Sequence, residues 1–138
     1  MTMQQPMSFQ ALERFQRPRN YGPLDRWDGH ARITGPCGDT MEFWLQIAEG
    51  RIVQASFVTS GCGPSRAAGS MATELAVGRL LVEAARLEQR DVLRALGGLP
   101  PESEHCALLA ANTLKAAIAD YETRPRIAPR CGETSEAL

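Results

Sequence analysis

The clearest periodicity in the chain runs from Met41 to Ala48, where Met41, Phe43, Leu45 and Ile47 alternate with Glu42 and Gln46, the period-two pattern of a half-buried strand. The turn residues "EGR" then reverse the chain, and "RIVQASFVTS" can pair antiparallel with its predecessor. "HARIT" predicts a further short strand just upstream, so this region reads as a meander of two or three strands. Helical spacing brackets the meander. Phe9, Leu12 and Phe15 follow Ser8, an N-cap candidate, and predict a short helix that cannot continue through Pro18 and "RPRNYGPL". After Ser60 come small helix-forming residues, "PSRAAGSMATELAVG", with Pro64 in a first turn and Gly78 as the stop. "RLLVEAARLEQRDVLRALGG" predicts one or two short helices ended by Gly97 and Gly98 and by the rigid turn "LPP". From Glu104 to Tyr121, the residues Leu108, Leu109, Ala111, Leu114, Ala117, Ile118 and Tyr121 trace one broad apolar face, the stripe of a helix lying on a sheet. Strands first and helices after them predict an α+β fold, a small antiparallel sheet with helices packed on one face.

Composition narrows the classes. A chain of 138 residues has room for one hydrophobic core, read here as a domain over 1–123 followed by a loose tail over 124–138, where prolines and scattered charges show no period. Hydrophobic residues make up 43% and charged residues 22%, and no apolar run is long enough to span a bilayer. The net charge of -1, from 15 basic and 16 acidic residues, gives no electrostatic footprint for nucleic acid. The start "MTMQQPMSF" lacks the basic-then-apolar order of a signal peptide, so the expected compartment is the cytoplasm. Four cysteines, Cys37, Cys62, Cys106 and Cys131, would be kept reduced there, which favours metal binding or thiol chemistry over disulfides.

The positions of these thiols are informative. Cys37 stands in "TGPCGD", a glycine and proline turn where a buried hydrophobe would gain little. Cys62 stands in "SGCGPS" where the strand pattern gives way to the helix pattern, and its glycine neighbours would let a bulky inorganic group approach the backbone. Cys106 opens the last helix, and a helix start favours thiolate over thiol. His105 precedes it, and three thiolates with one imidazole suit zinc or a small iron-sulfur cluster. The intervals of 25 and 44 residues match no compact ligand motif, so the fold would have to assemble the site. Asp39 is either a turn residue bonding its own backbone or a hard oxygen donor that weakens hold on a sulfide-bridged cluster. His30 is read as facing solvent, Arg66 either as facing solvent or as helping to hold a thiolate or an anionic cluster near Cys62, and Cys131 as an unliganded thiol in the tail.

At these residues the chain resembles the iron-sulfur cluster assembly scaffolds, the IscU-type proteins and the N-terminal domain of NifU. The resemblance rests on "RPRNYG", "GPCGD", "GCG" opening a helix, "GGLPPxxxHC" and "KAAIADY", in the family's order and spacing. It implies a three-stranded antiparallel sheet with helices, of the SufE/NifU-like type, and a transient [2Fe-2S] cluster at one end of the molecule. It also implies that Cys37, Cys62 and Cys106 are the cluster thiols, that Asp39 makes the cluster labile, and that His105 can complete coordination. The implied role is that of a scaffold rather than an enzyme. Sulfur would come from a cysteine desulfurase and iron from an iron donor, with the cluster passing to apo-protein acceptors; zinc can occupy such sites in isolated members. Cys106, at its helix start, is the candidate to accept the persulfide. The alternative is a zinc-dependent persulfide acceptor resembling SufU, against which His105 and the short connection before Cys106 speak. Ser103 stands where the IscU-type branch has a lysine, which puts docking of a dedicated Hsp70-type chaperone in question. No nucleic-acid or membrane partner is expected, and homo-oligomerisation is left open.

Overall fold

The structure is a computed structural model and describes residues 7–61, 63–124 and 130–131. Helix α1 (Phe9–Gln16) leads into β1 (Arg26–Trp27) and a meander of β2 (Gly29–Thr34), β3 (Thr40–Ala48) and β4 (Arg51–Thr59). Then follow α2 (Gly63–Ala76), α3 (Leu81–Ala84), α4 (Gln89–Leu96), a 3₁₀ turn (Pro101–Ser103), α5 (Glu104–Thr123) and β5 (Arg130–Cys131). The main sheet has the order β2-β3-β4, antiparallel throughout, as the meander predicts. Within the stretch read as a tail, the two residues of β5 pair with β1; the rest of it beyond Arg124 lies outside the described residues.

One face of the sheet carries the helices. α5 lies across β2 and β3 while α2 lies against β4, and both bury their inner faces against Met41, Phe43, Leu45, Ala55 and Phe57. Two close approaches depend on glycine. A Cβ at Gly29 would sit against the Ala117 carbonyl of α5, and one at Gly69 would enter the Phe57 ring, so strand backbone meets helix backbone at the first and helix backbone meets a strand side chain at the second. Leu108, assigned to the buried stripe from its spacing, is instead 44% exposed; the face that packs is built on Cys106, Leu109, Ala110, Leu114 and Ala117.

The other face of the sheet is covered by chain rather than by helix. Asn20 and Gly22 bond to both sides of Phe57 at the β4 edge, with Phe57 N donating to Asn20 O at 3.0 Å and Gly22 N to Phe57 O at 2.8 Å. The chain then reaches β3, where Asp28 N donates to Leu45 O at 2.7 Å and the Gln46 amide donates to Arg26 O at 2.9 Å. This crossing explains why Trp44 and Ser56, register partners on the face away from the helices, are only 9% and 5% exposed. His30 belongs to the same layer. Expected at the surface, it is instead half-buried, with its ring 5.2 Å from Trp27 and 5.6 Å from Trp44 and its Nε2 2.6 Å from Glu42 Oε2. The β3–β4 register shifts at Gln46/Ile47, leaving Val53 as the extra residue, 50% exposed, so that Ile52 and Ala55 both reach the core despite their odd spacing.

α1 is held by polar atoms more than by the apolar residues that reveal it. Ser8 caps it as predicted, accepting from Ala11 N at 3.0 Å, and its hydroxyl also bonds the Leu96 carbonyl at the end of α4. Phe9 and Leu12 are 74% and 43% exposed, whereas Ala11 and Arg14 are buried. The Arg14 guanidinium forks onto Glu74 of α2, Nε to Oε2 at 2.6 Å and Nη2 to Oε1 at 2.9 Å.

Candidate functional site

The β2–β3 connection sets the first thiol. Gly38 N donates to Gly35 O at 3.0 Å, closing a turn with Pro36 second and Cys37 third, and Gly35 N donates to Asp39 O at 2.8 Å behind it. Pro36 presets the backbone angle that the second position needs, and Gly38, at φ +96°, takes a conformation costly for any residue with a Cβ. The consequence is an exposed thiol at the tip of a rigid turn. Cys106 is placed differently: it is the third residue of α5 and only 4% exposed. His105 beside it is exposed, with Nε2 3.8 Å from Cys106 Sγ.

Three chemically different donors meet at this end of the molecule. One ligand atom each from Cys37, Asp39 and His105 lie within 4.8 Å of one another. A tetrahedral zinc with bonds of about 2.0–2.3 Å sets ligand-to-ligand edges of roughly 3.3–3.8 Å, so these groups would close by about 1 Å onto an ion. Soft sulfur, imidazole and carboxylate are ligands that zinc and iron accept. Cys106 adjoins the group through His105, and through Ser65, which no pattern in the sequence singles out. Ser65, 1% exposed in the first turn of α2, donates to Asp39 Oδ2 at 3.2 Å, and its Oγ lies 3.3 Å from Cys106 Sγ. Asp39 therefore does not spend its carboxylate on its own turn: among the described residues its hydrogen bond reaches across to α2. A serine one turn into a helix reads as an ordinary small residue; its spacing of three from Cys62 was the only signal available.

Cys62 lies outside the described residues, as does the side chain of Cys131. The glycines flanking Cys62 are described, and they alter one expectation. The space they leave is taken by the protein's own atoms rather than kept for an inorganic group. A Cβ on Gly61 would stand 2.7 Å from Asp39 Oδ2 and closer still to Ser65 Oγ, and one on Gly63 would enter the Phe15 ring of α1. Gly61 thus lets the carboxylate reach α2, and Gly63 lets α1 close over the start of α2. Arg66 is half-buried. Its Nε is buried without a hydrogen-bond partner among the described residues, and its guanidinium lies 5.9 Å from the centre of the Tyr21 ring, whose hydroxyl bonds Thr59 O at 3.3 Å.

This end of a small α+β domain gathers thiol, carboxylate and imidazole where a turn meets two helix starts, a donor set that metals accept. A family model described as the NifU-like N terminal domain matches residues 7–128, and the chain belongs to that family. It is 41% identical over 115 residues to the iron-sulfur cluster assembly scaffold protein IscU 1 of Archaeoglobus fulgidus, covering 83% of this chain and 75% of that protein. To the scaffold protein IscU of Escherichia coli it is 38% identical over 122 residues, 85% of this chain and 94% of that one. Among solved structures, the N-terminal part of a nitrogen-fixing NifU-like protein from Brucella abortus superposes with a TM-score of 0.67, covering 86% of this chain and 95% of that one; at 18% identity it shows the shared fold. Among the described residues no helix is long and apolar enough to cross a membrane.

Proposed function

We propose that this chain is a scaffold on which an iron-sulfur cluster is built and from which it is passed to apo-proteins. The observation that carries the reading is the meeting of Cys37, Asp39 and His105 within 4.8 Å, with Cys106 beside them; family membership and the names of the relatives supply the cargo. The cargo is a [2Fe-2S] unit, for which Cys37, Cys62 and Cys106 supply thiolates and His105 or Asp39 the remaining position. Zinc fits the same donors and is the expected occupant of protein isolated without iron and sulfide.

Sulfur uptake follows from ordinary thiol exchange. The Cys106 thiolate attacks the outer sulfur of a persulfide carried by a cysteine desulfurase; the donor's S–S bond breaks, the donor leaves as a thiolate, and the new S–S bond rests on Cys106. Reduction of that sulfur to sulfide takes two electrons from an external electron donor. Because Cys106 is 4% exposed, the donor reaches it only once the side chains around it, His105 and Ser65 among them, give way. Asp39 then serves release. A hard carboxylate among soft ligands holds iron poorly and offers a path for exchange.

The test is anaerobic reconstitution of the full chain with ferrous iron, cysteine and a desulfurase, followed by addition of an apo-ferredoxin. Scaffolding gives a visible chromophore that moves to the ferredoxin, and Asp39→Ala gives a chromophore that survives chelator for longer. A persulfide on Cys106 with no chromophore would replace this reading with the SufU-like relay, and an Asp39→Ala decay equal to that of the unaltered chain would remove Asp39 from the release step.

A further inference from the structure

We propose that the hollow at the C-terminal end of α2 is a docking site for an acidic segment of a partner protein. It measures about 470 Å³ and lies between the end of α2, α3 and α4. Arg79, Arg86 and Arg94 line it, and among the described residues none of the three forms an ion pair. Arg14 and Arg124, by contrast, each find a carboxylate. The carboxylates that share the hollow are engaged by their own helix starts: Glu83 Oε1 accepts from Leu80 N at 3.3 Å, and Asp91 Oδ2 accepts from Glu88 N at 2.9 Å. Glu88 itself pairs with Lys115 at 3.4 Å. Arg79 gives its Nε to Leu75 O at 2.6 Å; its terminal nitrogens, like those of Arg86 and Arg94, have no hydrogen-bond partner among the described residues.

Three forked cations without anions select a ligand bearing carboxylate or phosphate groups, which a guanidinium binds through paired hydrogen bonds. The rest of the lining decides between the two. Glu83 and Asp91 stand among the arginines and repel a compact polyanion, whereas a peptide spaces its carboxylates along its backbone, about 3.3 Å per residue when extended. Leu75, Leu87 and Ala95 add apolar surface that a leucine-like side chain of the same segment can cover, and no aromatic ring lines the hollow on which a nucleotide base could stack. The placement suits a tether. Leu75 and Ser65 are ten residues apart on α2, about 15 Å along its axis, so a segment held at the hollow leaves Cys37, Asp39 and His105 uncovered. The binding itself is independent of what those donors hold.

The probe is a fluorescein-labelled peptide of glutamate with leucine at every third position, titrated with the full chain in the presence of chelator and read by fluorescence anisotropy. Binding is saturable and weakens as salt rises. It falls about tenfold when Arg86→Gln and Arg94→Gln are combined, the loss of two exposed charge pairs. Arg26→Gln with Arg32→Gln removes the same charge from β1 and β2 and changes the affinity by less than about twofold. Arg86 and Arg94 are exposed, so glutamine suits both positions, and a matching thermal melt checks this. The same peptide with glutamine for every glutamate binds at least about tenfold more weakly. Absence of saturable binding by the unaltered chain, or equal losses in the two double variants, overturns the inference. Inorganic triphosphate that displaces the peptide at a concentration below the peptide's own Kd overturns it as well, by making the hollow a phosphate site. Because the chelator keeps metal out of the measurement, either failure leaves the scaffold reading standing.

Discussion

Replacing Glu74 by glutamine tests whether α1 is held by charge. Arg14, 7% exposed, gives two of its N–H groups to Glu74, and Arg19 and Ser70 add bonds at 3.2 and 3.4 Å. Removing one partner of a buried ion pair costs about 3–5 kcal/mol because the other charge is left uncompensated. The Glu74 side chain is 23% exposed and glutamine keeps one acceptor oxygen, so water and the amide recover part of this and a loss of about 2 kcal/mol is expected. For a chain of this size that is roughly 6–10 °C in Tm. The pH dependence gives a sharper check. Burial pushes the Glu74 carboxyl up, but the Arg14 hydrogen bond and charge, with help from Arg19 and Ser70, outweigh it and hold the carboxyl below its ordinary 4.5. A carboxyl depressed in the folded state contributes stability that is whole above the ordinary value and is lost as pH falls through the depressed one. Urea unfolding of both chains from pH 7 down to about pH 3 should therefore show the gap between them narrowing below about pH 4.5. Amide exchange should localise the loss, with α1 protection falling before that of β3. A Glu74→Gln chain as stable as the unaltered one at pH 7, or a gap that widens in acid, would refute the argument.

Arg14 shows why only part of this architecture was legible in the sequence. The strands were, because alternation such as Met41–Phe43–Leu45 records directly which side faces a core. The helix boundaries were too, since Ser8, Pro64, Gly78 and Gly97 act through local backbone chemistry that needs no knowledge of the rest of the fold. What periodicity misassigned were faces whose cover comes from elsewhere. Phe9 and Leu12 look like an inward stripe, yet the partner surface on α2 offers Glu74 to Arg14 and a ring-sized gap at Gly63 to Phe15. Trp44 breaks the alternation of β3 and is buried all the same, because the 22–28 connection crosses that face. The candidate site divides in the same way. Thiols and an imidazole in glycine-rich turns and at helix starts stand out by residue type, whereas Ser65 acquires meaning only when β3, α2 and α5 bring Asp39 and Cys106 to either side of it.

Two further outcomes follow from the packing around the site. With a limiting amount of a bulky maleimide, peptide mass spectrometry should find Cys37 labelled well before Cys106, since one thiol is exposed on a turn and the other is 4% exposed; equal labelling would mean that Cys106 is not buried in solution. Gly63→Ala places a methyl inside the Phe15 ring, and overpacking of this kind costs about 1–3 kcal/mol, or roughly 3–15 °C in Tm. The strain belongs to one contact, so it has one remedy. Phe15→Ala removes the ring that the methyl meets, and the double variant should lose less than the sum of the two single losses by about 1 kcal/mol or more, measured as a double-mutant cycle in urea. Strict additivity would mean that α1 does not rest on Gly63. The pairing matters for the candidate site because Gly63 opens the helix that carries Ser65: whatever moves Phe15 off the start of α2 loosens the helix start that Asp39 bonds, and α1 then links the Arg14–Glu74 ion pair to that end of the molecule.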